Sequence, residues 1–323
     1  MRASIQQVQF DTYGPPRVLT CAPVPRPTAG PQQLRVAVHA AGVNPVDWRY
    51  RQGQLKWIDW ASFPRTPGAD VAGVVVAAGA GVDDFRVGDR VCAMLDTRRA
   101  GGYAEQVLVP AADAVAIPSA LTMVEAAGLP LVTLTAIQAL RDQAKLQVGE
   151  HVLINGASGG VGTMAVQWAK AHGATVTGVC SHRNIALVES LGADAVIDYT
   201  QEDFARHTGA FDVIFDAFGN RSISDVAPAL RLGGRFVTTD ITPPSLGRMV
   251  GSWIMPGPAV RVVVVEPSGP DLRHAMQLVR TGALRPVVDR TFPLCDAAEA
   301  HRYSETHRAQ GKIVLVTDAH GTS

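Results

Sequence analysis

The sequence predicts an α/β protein in which a doubly wound parallel sheet is combined with a separate β-rich domain. Residues 1–124 are rich in Pro and Gly and contain short apolar or alternating runs between turns, which is typical of a β domain. Between residues 125 and 266 strand-like runs alternate with helical segments, which indicates parallel strands joined by crossover helices. Residues 267–323 return to the texture of the first part. We therefore expect one domain from residues 1–124 and 267–323, and a second from residues 125–266.

The strand-like runs of the first domain are β-branched and are bounded by turn residues. In chain order they are LRVAVHAAGV (34–43), DVAGVVVAAG (70–79), DRVCAM (89–94) and AEQVLV (104–109). Those of the second domain are HVLIN (151–155), TVTGVC (175–180), AVIDY (195–199), DVIFDA (212–217), RFVTTD (235–240) and VRVVVVE (260–266). Helical segments are expected between them at 161–173, 184–192 and 222–234. The first two end in Gly173 and Gly192, a residue type suited to a left-handed C-terminal cap.

Composition excludes several classes of function. The chain has 323 residues, 47% of them hydrophobic, and 29 basic residues balance 29 acidic ones, so no net field recruits nucleic acid. The longest uncharged apolar stretch, residues 126–140, contains Pro130 and is shorter than the roughly 20 residues of a membrane span. The N-terminal residues lack the apolar core of a signal peptide. We expect a cytoplasmic protein without nucleic-acid or membrane partners.

The four cysteines are far apart in the chain. Cys21, Cys92, Cys180 and Cys295 include no CxxC pair, so neither a zinc lobe nor a disulfide framework is indicated. We expect reduced, buried thiols.

A glycine-rich loop, NGASGGVG at residues 155–162, lies between a strand and a helix. Such a turn directs backbone N–H groups and the positive end of the helix dipole at a diphosphate. Gly159 and Gly162 match the second and third glycines of GxGxxG, and Ala157 occupies the place of the first. The candidate phosphate-binding residues are Ser158, Gly159, Gly160, Val161 and Gly162. The alternative is a tight turn that needs glycine for packing alone.

The stretch after the second strand of this domain, VCSHRN at residues 179–184, decides which nucleotide is expected. NAD enzymes place an acid there for the ribose 2′-hydroxyl, and none occurs between Thr175 and Leu187. The Ser181 hydroxyl and the Arg183 guanidinium suit a 2′-phosphate, which predicts NADPH as the cofactor. The alternative is that Ser181 or Asn184 caps the next helix and Arg183 is a solvated charge.

Nine motifs, in this order, resemble those of one known family. They are AAGVNPVDWRYRQG (40–53), FPRTPGADVAGVV, VGDRV, GGYAEQ, LTAIQAL, NGASGGVG, LGADAVIDY, LRLGGRFV and GKIVL. The chain resembles the zinc-independent medium-chain dehydrogenase/reductases, namely the zeta-crystallin-like quinone oxidoreductases and related enoyl reductases, over nearly its whole length. The resemblance implies a GroES-like catalytic domain formed by both ends of the chain, an NADPH-binding Rossmann domain, and a cleft between them.

The resemblance also allows the metal question to be addressed by position. Zinc-dependent relatives carry a Cys after the glycine of the first motif and Gly-His-Glu in the second, where this chain has GVNPVD and PGADVAG. Zinc needs three protein ligands and an open position, which Asp47 and Asp70 cannot supply. We therefore predict metal-free hydride transfer to a quinone or to the β-carbon of an α,β-unsaturated carbonyl.

By resemblance, Asn44 lies beside the nicotinamide ribose and the substrate, and Thr135 contacts the nicotinamide side of the cofactor. Tyr50 is the candidate proton donor or hydrogen-bond donor to the oxyanion; alternatively it is a packed tyrosine whose hydroxyl is satisfied, and solvent delivers the proton. Asp47 is interpreted as structural, holding its loop by hydrogen bonds. Lys312 either reaches the cofactor from the C-terminal tail or is a solvated lysine.

Other residues lie at the ends of strands in the nucleotide domain. Tyr199 either contacts the adenosine phosphate or is an exposed strand-end aromatic, and Phe218 with Gly219 lies at a carboxyl end where ligands bind. The segment 242–260, with Met249, Trp253 and Met255, either walls the substrate pocket or packs at a subunit contact. The run from Val262 to Val265 resembles an edge strand through which relatives dimerise, so a homodimer is expected.

Two alternative functions are retained. One is an enoyl-thioester reductase of a fatty-acid or polyketide type of pathway, acting on an acyl chain carried by a partner. The other is a non-catalytic NADPH-binding sensor or structural protein.

Overall fold

The computed structural model describes residues 4–58, 62–252 and 257–317. The strands in chain order are β1 (Ser4–Gln9), β2 (Thr20–Pro25), β3 (Gln33–Val43), β4 (Asp70–Ala78), β5 (Arg90–Met94), β6 (Gln106–Pro110), β7 (Ala114–Ala116), β8 (His151–Asn155), β9 (Thr175–Cys180), β10 (Ala195–Asp198), β11 (Phe211–Asp216), β12 (Leu230–Thr238), β13 (Ala259–Val262), β14 (Val288–Pro293) and β15 (Lys312–Val316). The α-helices are α1 (Pro45–Arg51), α2 (Met123–Ala127), α3 (Pro130–Ile137), α4 (Gly160–Ala171), α5 (Ile185–Ser190), α6 (Ile223–Val226), α7 (Pro243–Gly251), α8 (Gly269–Arg280) and α9 (Ala297–Glu305).

The chain divides into two compact units. Unit 1 takes its residues from Met1–Leu131, Pro267–Gln277 and Pro286–Ser323, and unit 2 takes them from Val132–Glu266 and Leu278–Arg285. Strands β1 to β7 and strands β14 and β15 belong to unit 1, and strands β8 to β13 belong to unit 2. The two ends of the chain therefore contribute strands to the same unit.

Unit 1 is built on a seven-stranded sheet in the order β14-β15-β3-β4-β5-β7, in which β6 also pairs with β3. Burial alternates along the first part of β3, so that Leu34, Val36 and Val38 enter the core while the residues between them are only partly buried. The same core receives Ile313 and Leu315 from the C-terminal strand β15. The C-terminal tail is therefore part of this domain's core.

Unit 2 is a six-stranded sheet in the order β10-β9-β8-β11-β12-β13, and all its neighbouring strands are parallel. The central runs Val152–Ile154 and Val213–Phe215 are fully buried, as continuous apolar strands covered on both faces should be. The strand order changes direction between β8 and β11, so this is the doubly wound Rossmann arrangement predicted from the sequence. The predicted helix ends Gly173 and Gly192 have left-handed φ values of 82° and 100°.

Two elements of unit 2 differ from prediction. The helix expected over 222–234 is limited to Ile223–Val226, because Pro228 lacks an N–H and β12 already begins at Leu230. The edge strand β13 covers Ala259–Val262, so most of the run expected to form it lies after the strand's end, where Val264 is exposed. Met249, on α7, packs against the core of this unit. Trp253 and Met255 lie outside the described residues.

The prediction of four reduced thiols is wrong for two of them. Cys21 in β2 forms a disulfide with Cys295, in the turn that precedes α9, across 274 residues of sequence. Both segments pack on the unit 1 core, so tertiary structure joins cysteines whose sequence spacing indicated no pairing. Cys92 and Cys180 are free and buried, as expected.

No helix among the described residues combines the length and the apolar character needed to cross a membrane.

Candidate functional site

The predicted site residues fall into two groups. Asn44, Tyr50 and Lys312 belong to unit 1, and the remaining candidates belong to unit 2.

In unit 2, the turn between β8 and α4 depends on a glycine that the motif comparison did not single out. Gly156 has φ 80°, and a Cβ there would lie 3.0 Å from the Phe218 Cβ. Ala157 needs no such freedom, and its N–H donates to the Val179 carbonyl at 3.0 Å. Gly156 therefore makes the tight turn one residue early, which explains why alanine is tolerated at the first motif position. The Asn-Gly pair at 155–156 was the available sequence signal.

The two motif glycines have different physical roles. A Cβ on Gly162 would lie 2.1 Å from the Gly156 carbonyl oxygen, so this glycine is required for packing of the helix on the turn. A Cβ on Gly159 would meet only that same oxygen, at 3.4 Å. Gly159 precedes the first turn of α4, where backbone N–H groups lack intrahelical acceptors. The packing alternative thus accounts for Gly162, whereas the position of Gly159 suits close approach of a phosphate.

The segment after β9 is joined to this loop by a side-chain hydrogen bond. Asn184 is buried and its Nδ2 donates to Ser158 Oγ at 2.8 Å. Neither Ser181 nor Asn184 makes a side-chain capping bond, so the helix-cap alternative is not what the structure has. Ser181 is half-buried and Arg183 is exposed. The candidate phosphate-binding side chains therefore border the same turn as the glycine loop.

The neighbouring strand β10 brings an acid that the sequence analysis did not consider. Asp198 pairs in register with Cys180, the last residue of β9. Its Oδ2 lies 3.5 Å from His182 Nδ1. Tyr199, the next residue, is exposed at the strand end. The signal was available in AVIDY, but only the sheet register places this carboxylate beside VCSHRN.

A buried aspartate shapes the loop at the carboxyl end of β11. Asp216 Oδ1 accepts from Asn155 Nδ2 at 2.8 Å and from Gly219 N at 3.0 Å, and its Oδ2 accepts from Arg221 N at 2.8 Å. Burial raises the pKa of Asp216, against the hydrogen bonds, which lower it. The loop holds Gly219 at φ 77° and exposes Phe218 beside the switch point of the sheet. Thr135, on α3, is buried.

In unit 1, Asn44 is the centre of a buried polar cluster. Its Nδ2 donates to Asp70 Oδ2 at 2.9 Å, while Lys312 Nζ donates to Asn44 Oδ1 at 2.5 Å and to Asp70 Oδ2 at 3.1 Å. The second Asp70 oxygen accepts from Leu131 N at 2.7 Å. These charged partners fix which way the Asn44 amide faces. Lys312 is buried, so the solvated alternative for it is wrong.

Asp47 holds the start of α1, as the sequence interpretation proposed. Its Oδ2 accepts from Asn44 N at 2.8 Å and from the Tyr103 hydroxyl at 3.1 Å, and its Oδ1 accepts from Gly68 N at 3.1 Å. Burial raises the pKa of Asp47 to about 6. The Tyr103 hydroxyl also lies 3.2 Å from His301 Nε2, and burial lowers the pKa of His301 to about 3. The loop that carries Asn44 is thus anchored to α9.

Tyr50, the candidate proton donor, is buried on α1. The Arg65 guanidinium carbon lies 5.0 Å from its ring centre, which is a cation–π distance. This contact positions the ring, and the catalytic role of the hydroxyl stays a prediction.

By resemblance, zinc-dependent relatives carry their ligands in the stretches that read GVNPVD and PGADVAG here, and the structure brings Asn44 and Asp70 of these stretches together. Within residues 4–58, 62–252 and 257–317, no group of three or more His, Cys, Asp or Glu side chains is placed to hold a metal. The cation at this place in the fold is the Lys312 ammonium, which bonds both Asn44 and Asp70.

Comparison with known proteins gives a consistent family. Residues 30–119 match the alcohol dehydrogenase GroES-like domain, and residues 191–315 match a family described as zinc-binding dehydrogenase. The chain is 34% identical over 321 residues to the chloroplast envelope quinone oxidoreductase homolog of Arabidopsis thaliana, covering 95% of this chain and 97% of the relative. It is 35% identical over 295 residues to the chloroplastic NADPH-dependent alkenal/one oxidoreductase of the same plant, covering 88% and 72%.

A solved structure supports the same assignment over the whole fold. The quinone oxidoreductase from Coxiella burnetii superimposes with a TM-score of 0.86 at 31% identity, covering 97% of this chain and 99% of that one. The predicted fold and family are thus confirmed, and the protein is an oxidoreductase enzyme of an NAD(P)H-dependent family. The chain belongs to the zinc-independent quinone oxidoreductase family of the medium-chain dehydrogenase/reductases.

Proposed function

We propose that this enzyme uses NADPH to reduce a quinone or the carbon–carbon double bond of an α,β-unsaturated carbonyl, without a metal. When bound, NADPH would supply a hydride from C4 of its nicotinamide. In the carbonyl case the β-carbon would accept that hydride, and a proton from Tyr50 or solvent would be added at the α-carbon. The observation that carries the proposal is the glycine turn of unit 2, where Gly159 lies at the start of α4 beside the switch point of the sheet.

The adenosine end of the cofactor is assigned to the segment after β9. Ser181 and the exposed Arg183 offer a hydroxyl and a planar cation to a 2′-phosphate, and Asn184 holds this segment on the glycine loop through Ser158. Tyr199 and the loop with Phe218 and Gly219 complete the candidate binding residues at the carboxyl ends of the strands, and Thr135 is assigned to the nicotinamide side by resemblance.

The chemical end is assigned to Asn44. Its buried amide is held by Lys312 and Asp70, so it is preorganised to orient the cofactor and the substrate rather than to titrate. Lys312 positions Asn44 in this assignment, and a contact of its own with the cofactor stays a prediction. The proton comes from Tyr50 or from solvent.

The experiment is a screen of acceptors by NADPH and NADH oxidation, followed by Arg183→Ala. The panel contains quinones, enones, alkenals and a short enoyl thioester, because preference for the thioester would favour the alternative enoyl-thioester reductase. Tight NADPH binding without turnover on any acceptor would favour a non-catalytic role and contradict the proposal.

Loss of the Arg183 guanidinium should remove a charge-assisted hydrogen bond of about 1.5–3 kcal/mol from NADPH and leave NADH nearly unchanged. The ratio of kcat/KM with NADPH to kcat/KM with NADH should fall roughly ten- to a hundredfold. Arg231→Ala is the matched control, because this exposed arginine lies at the amino end of β12, away from the carboxyl ends where ligands bind. Wild-type preference for NADH, or equal weakening of both cofactors in Arg183→Ala, would contradict the assignment.

We also propose a homodimer that pairs β13 with its copy. β13 is the outermost strand of the unit 2 sheet, and pairing would satisfy its open backbone groups. Light scattering at micromolar concentration should give twice the mass of one chain, and a monomer would contradict the proposal. Cytoplasmic location stays a prediction of the sequence; the two Arabidopsis relatives are named as chloroplast proteins.

A further inference from the structure

The carboxyl ends of β9 and β10 hold a histidine–aspartate pair that the proposed function does not use. His182 follows β9 by two residues, and Asp198 is the last residue of β10. The backbone keeps the two ends adjacent, because Asp198 is in register with Cys180 and Tyr199 N donates to the Cys180 carbonyl at 3.1 Å. His182 Nδ1 lies 3.5 Å from Asp198 Oδ2, with the His182 side chain 86% exposed and the Asp198 side chain 10% exposed.

The two oxygens of Asp198 have different surroundings. Oδ1 accepts from Thr200 N at 3.0 Å and from Thr200 Oγ1 at 2.8 Å. Oδ2 is buried and makes no well-formed hydrogen bond among the described residues, although the ring and the backbone N–H of His182 face the carboxylate. A buried carboxylate oxygen without a well-formed hydrogen bond is costly, so a donor from a ligand would be favourable there.

The carboxylate is charged under ordinary conditions. The hydrogen bonds from Thr200 lower the pKa of Asp198, and His182 lowers it further. A fixed negative charge therefore lies beside the segment that contains Ser181 and Arg183. Such a charge accepts a ribose hydroxyl and repels a 2′-phosphate dianion. The end of β9 lacks an acid, and the adjacent strand β10 ends in one.

We propose that Asp198 is a cofactor-specificity residue, whose Oδ2 accepts an adenosine ribose hydroxyl and whose negative charge limits the preference for the 2′-phosphate. This inference rests on the proposed nucleotide site. Arg183 and Asp198 then act in opposite directions on the same phosphate, and the NADPH preference is the balance between them. His182 controls that balance because it covers the carboxylate.

The test measures the affinities of adenosine 2′,5′-bisphosphate and 5′-AMP by calorimetry, so it does not depend on turnover. Asp198→Asn should raise the preference for the bisphosphate about three- to tenfold, the effect of removing one partly screened charge near a phosphate. His182→Gln should lower that preference about two- to fivefold, because the carboxylate is uncovered. In the double variant His182→Gln should have no further effect, because its action passes through Asp198.

Asp194→Asn is the matched control. Asp194 immediately precedes β10, so this substitution removes one negative charge about 13 Å from Asp198 along the strand. The ratio of the affinities for adenosine 2′,5′-bisphosphate and 5′-AMP should therefore stay at the wild-type value. His182→Gln is at an exposed position and gives a readout even where Asp198→Asn impairs folding. An unchanged ratio in both variants, with both nucleotides still bound, would overturn the role of Asp198 alone. Failure of wild type to bind either nucleotide would overturn the nucleotide site as well.

Discussion

Removal of the Lys312 ammonium tests the buried polar cluster around Asn44 in unit 1. Lys312 Nζ and Asp70 Oδ2 are 3.1 Å apart, and their side chains are 5% and 0% exposed. Lys312→Met keeps most of the apolar stem and leaves a buried carboxylate without its counter-charge. Breaking a buried ion pair from one side typically costs 3–5 kcal/mol. Asp70 still accepts from Asn44 Nδ2 and Leu131 N, so we expect the lower end, about 3 kcal/mol.

Urea unfolding of wild type, Lys312→Met, Asp70→Asn and the double variant measures this cost. The double variant carries no buried charge, so it should be destabilised by clearly less than the sum of the two single changes. Lys312→Arg serves as the charge-retaining control. A change below about 1 kcal/mol in Lys312→Met, or strict additivity in the double variant, would show that the ammonium is not the counter-charge of this cluster.

Three further predictions concern the glycine turn, acid stability and metal. Gly162→Ala should lower the free energy of unfolding by at least about 2 kcal/mol, because its Cβ meets the Gly156 carbonyl. Gly159→Ala should change stability by less than about 0.5 kcal/mol but weaken nucleotide binding. Thermal unfolding measures the stability of both variants, and calorimetry measures nucleotide binding. Burial holds the pKa of His301 at about 3, so the folded state resists a proton that the unfolded state accepts below about 6.5, and stability is lost as pH falls through that window. Between pH 7 and pH 5 the free energy of unfolding should fall by about 2 kcal/mol because of His301, and His301→Gln should remove this loss. Asp47 contributes in the opposite direction, because its raised pKa of about 6 makes protonation favour the folded state. Unfolding curves at the two pH values that shift equally for wild type and His301→Gln would contradict the role of His301. Purified enzyme should contain substoichiometric zinc and keep its turnover in a chelator, and one tightly bound zinc per chain whose removal abolishes turnover would be incompatible with a metal-free mechanism.

Most strands of unit 2 were predictable because they depend on local patterns, whereas β1, β2, β7 and β14 of unit 1 were not identified. Runs such as those at 151–155 and 212–217 are apolar along their whole length, which indicated a parallel sheet covered on both faces, and the glycines after two helices marked helix ends. Contacts between distant segments were not predictable in this way. Cys21 and Cys295 meet only because the C-terminal tail packs into the first domain, and no rule on cysteine spacing contains that information.

The candidate sites show the same limit in chemical terms. Asn44 was found by resemblance, but its partners Asp70 and Lys312 are 26 and 268 residues away, and only the pairing of β3 with β4 and β15 brings the three together. In the nucleotide domain, the glycine-loop motif predicts the ribose-binding acid at the end of one strand, β9, because the acid follows the glycine loop at a fixed distance along the chain. A parallel sheet, however, aligns the carboxyl ends of neighbouring strands, so Asp198 lies beside Cys180 although 18 residues separate them. In our proposal the choice between NADPH and NADH depends on the charges after both strands, Arg183 beyond β9 and Asp198 at the end of β10, so a prediction from either segment alone omits one of two opposing charges.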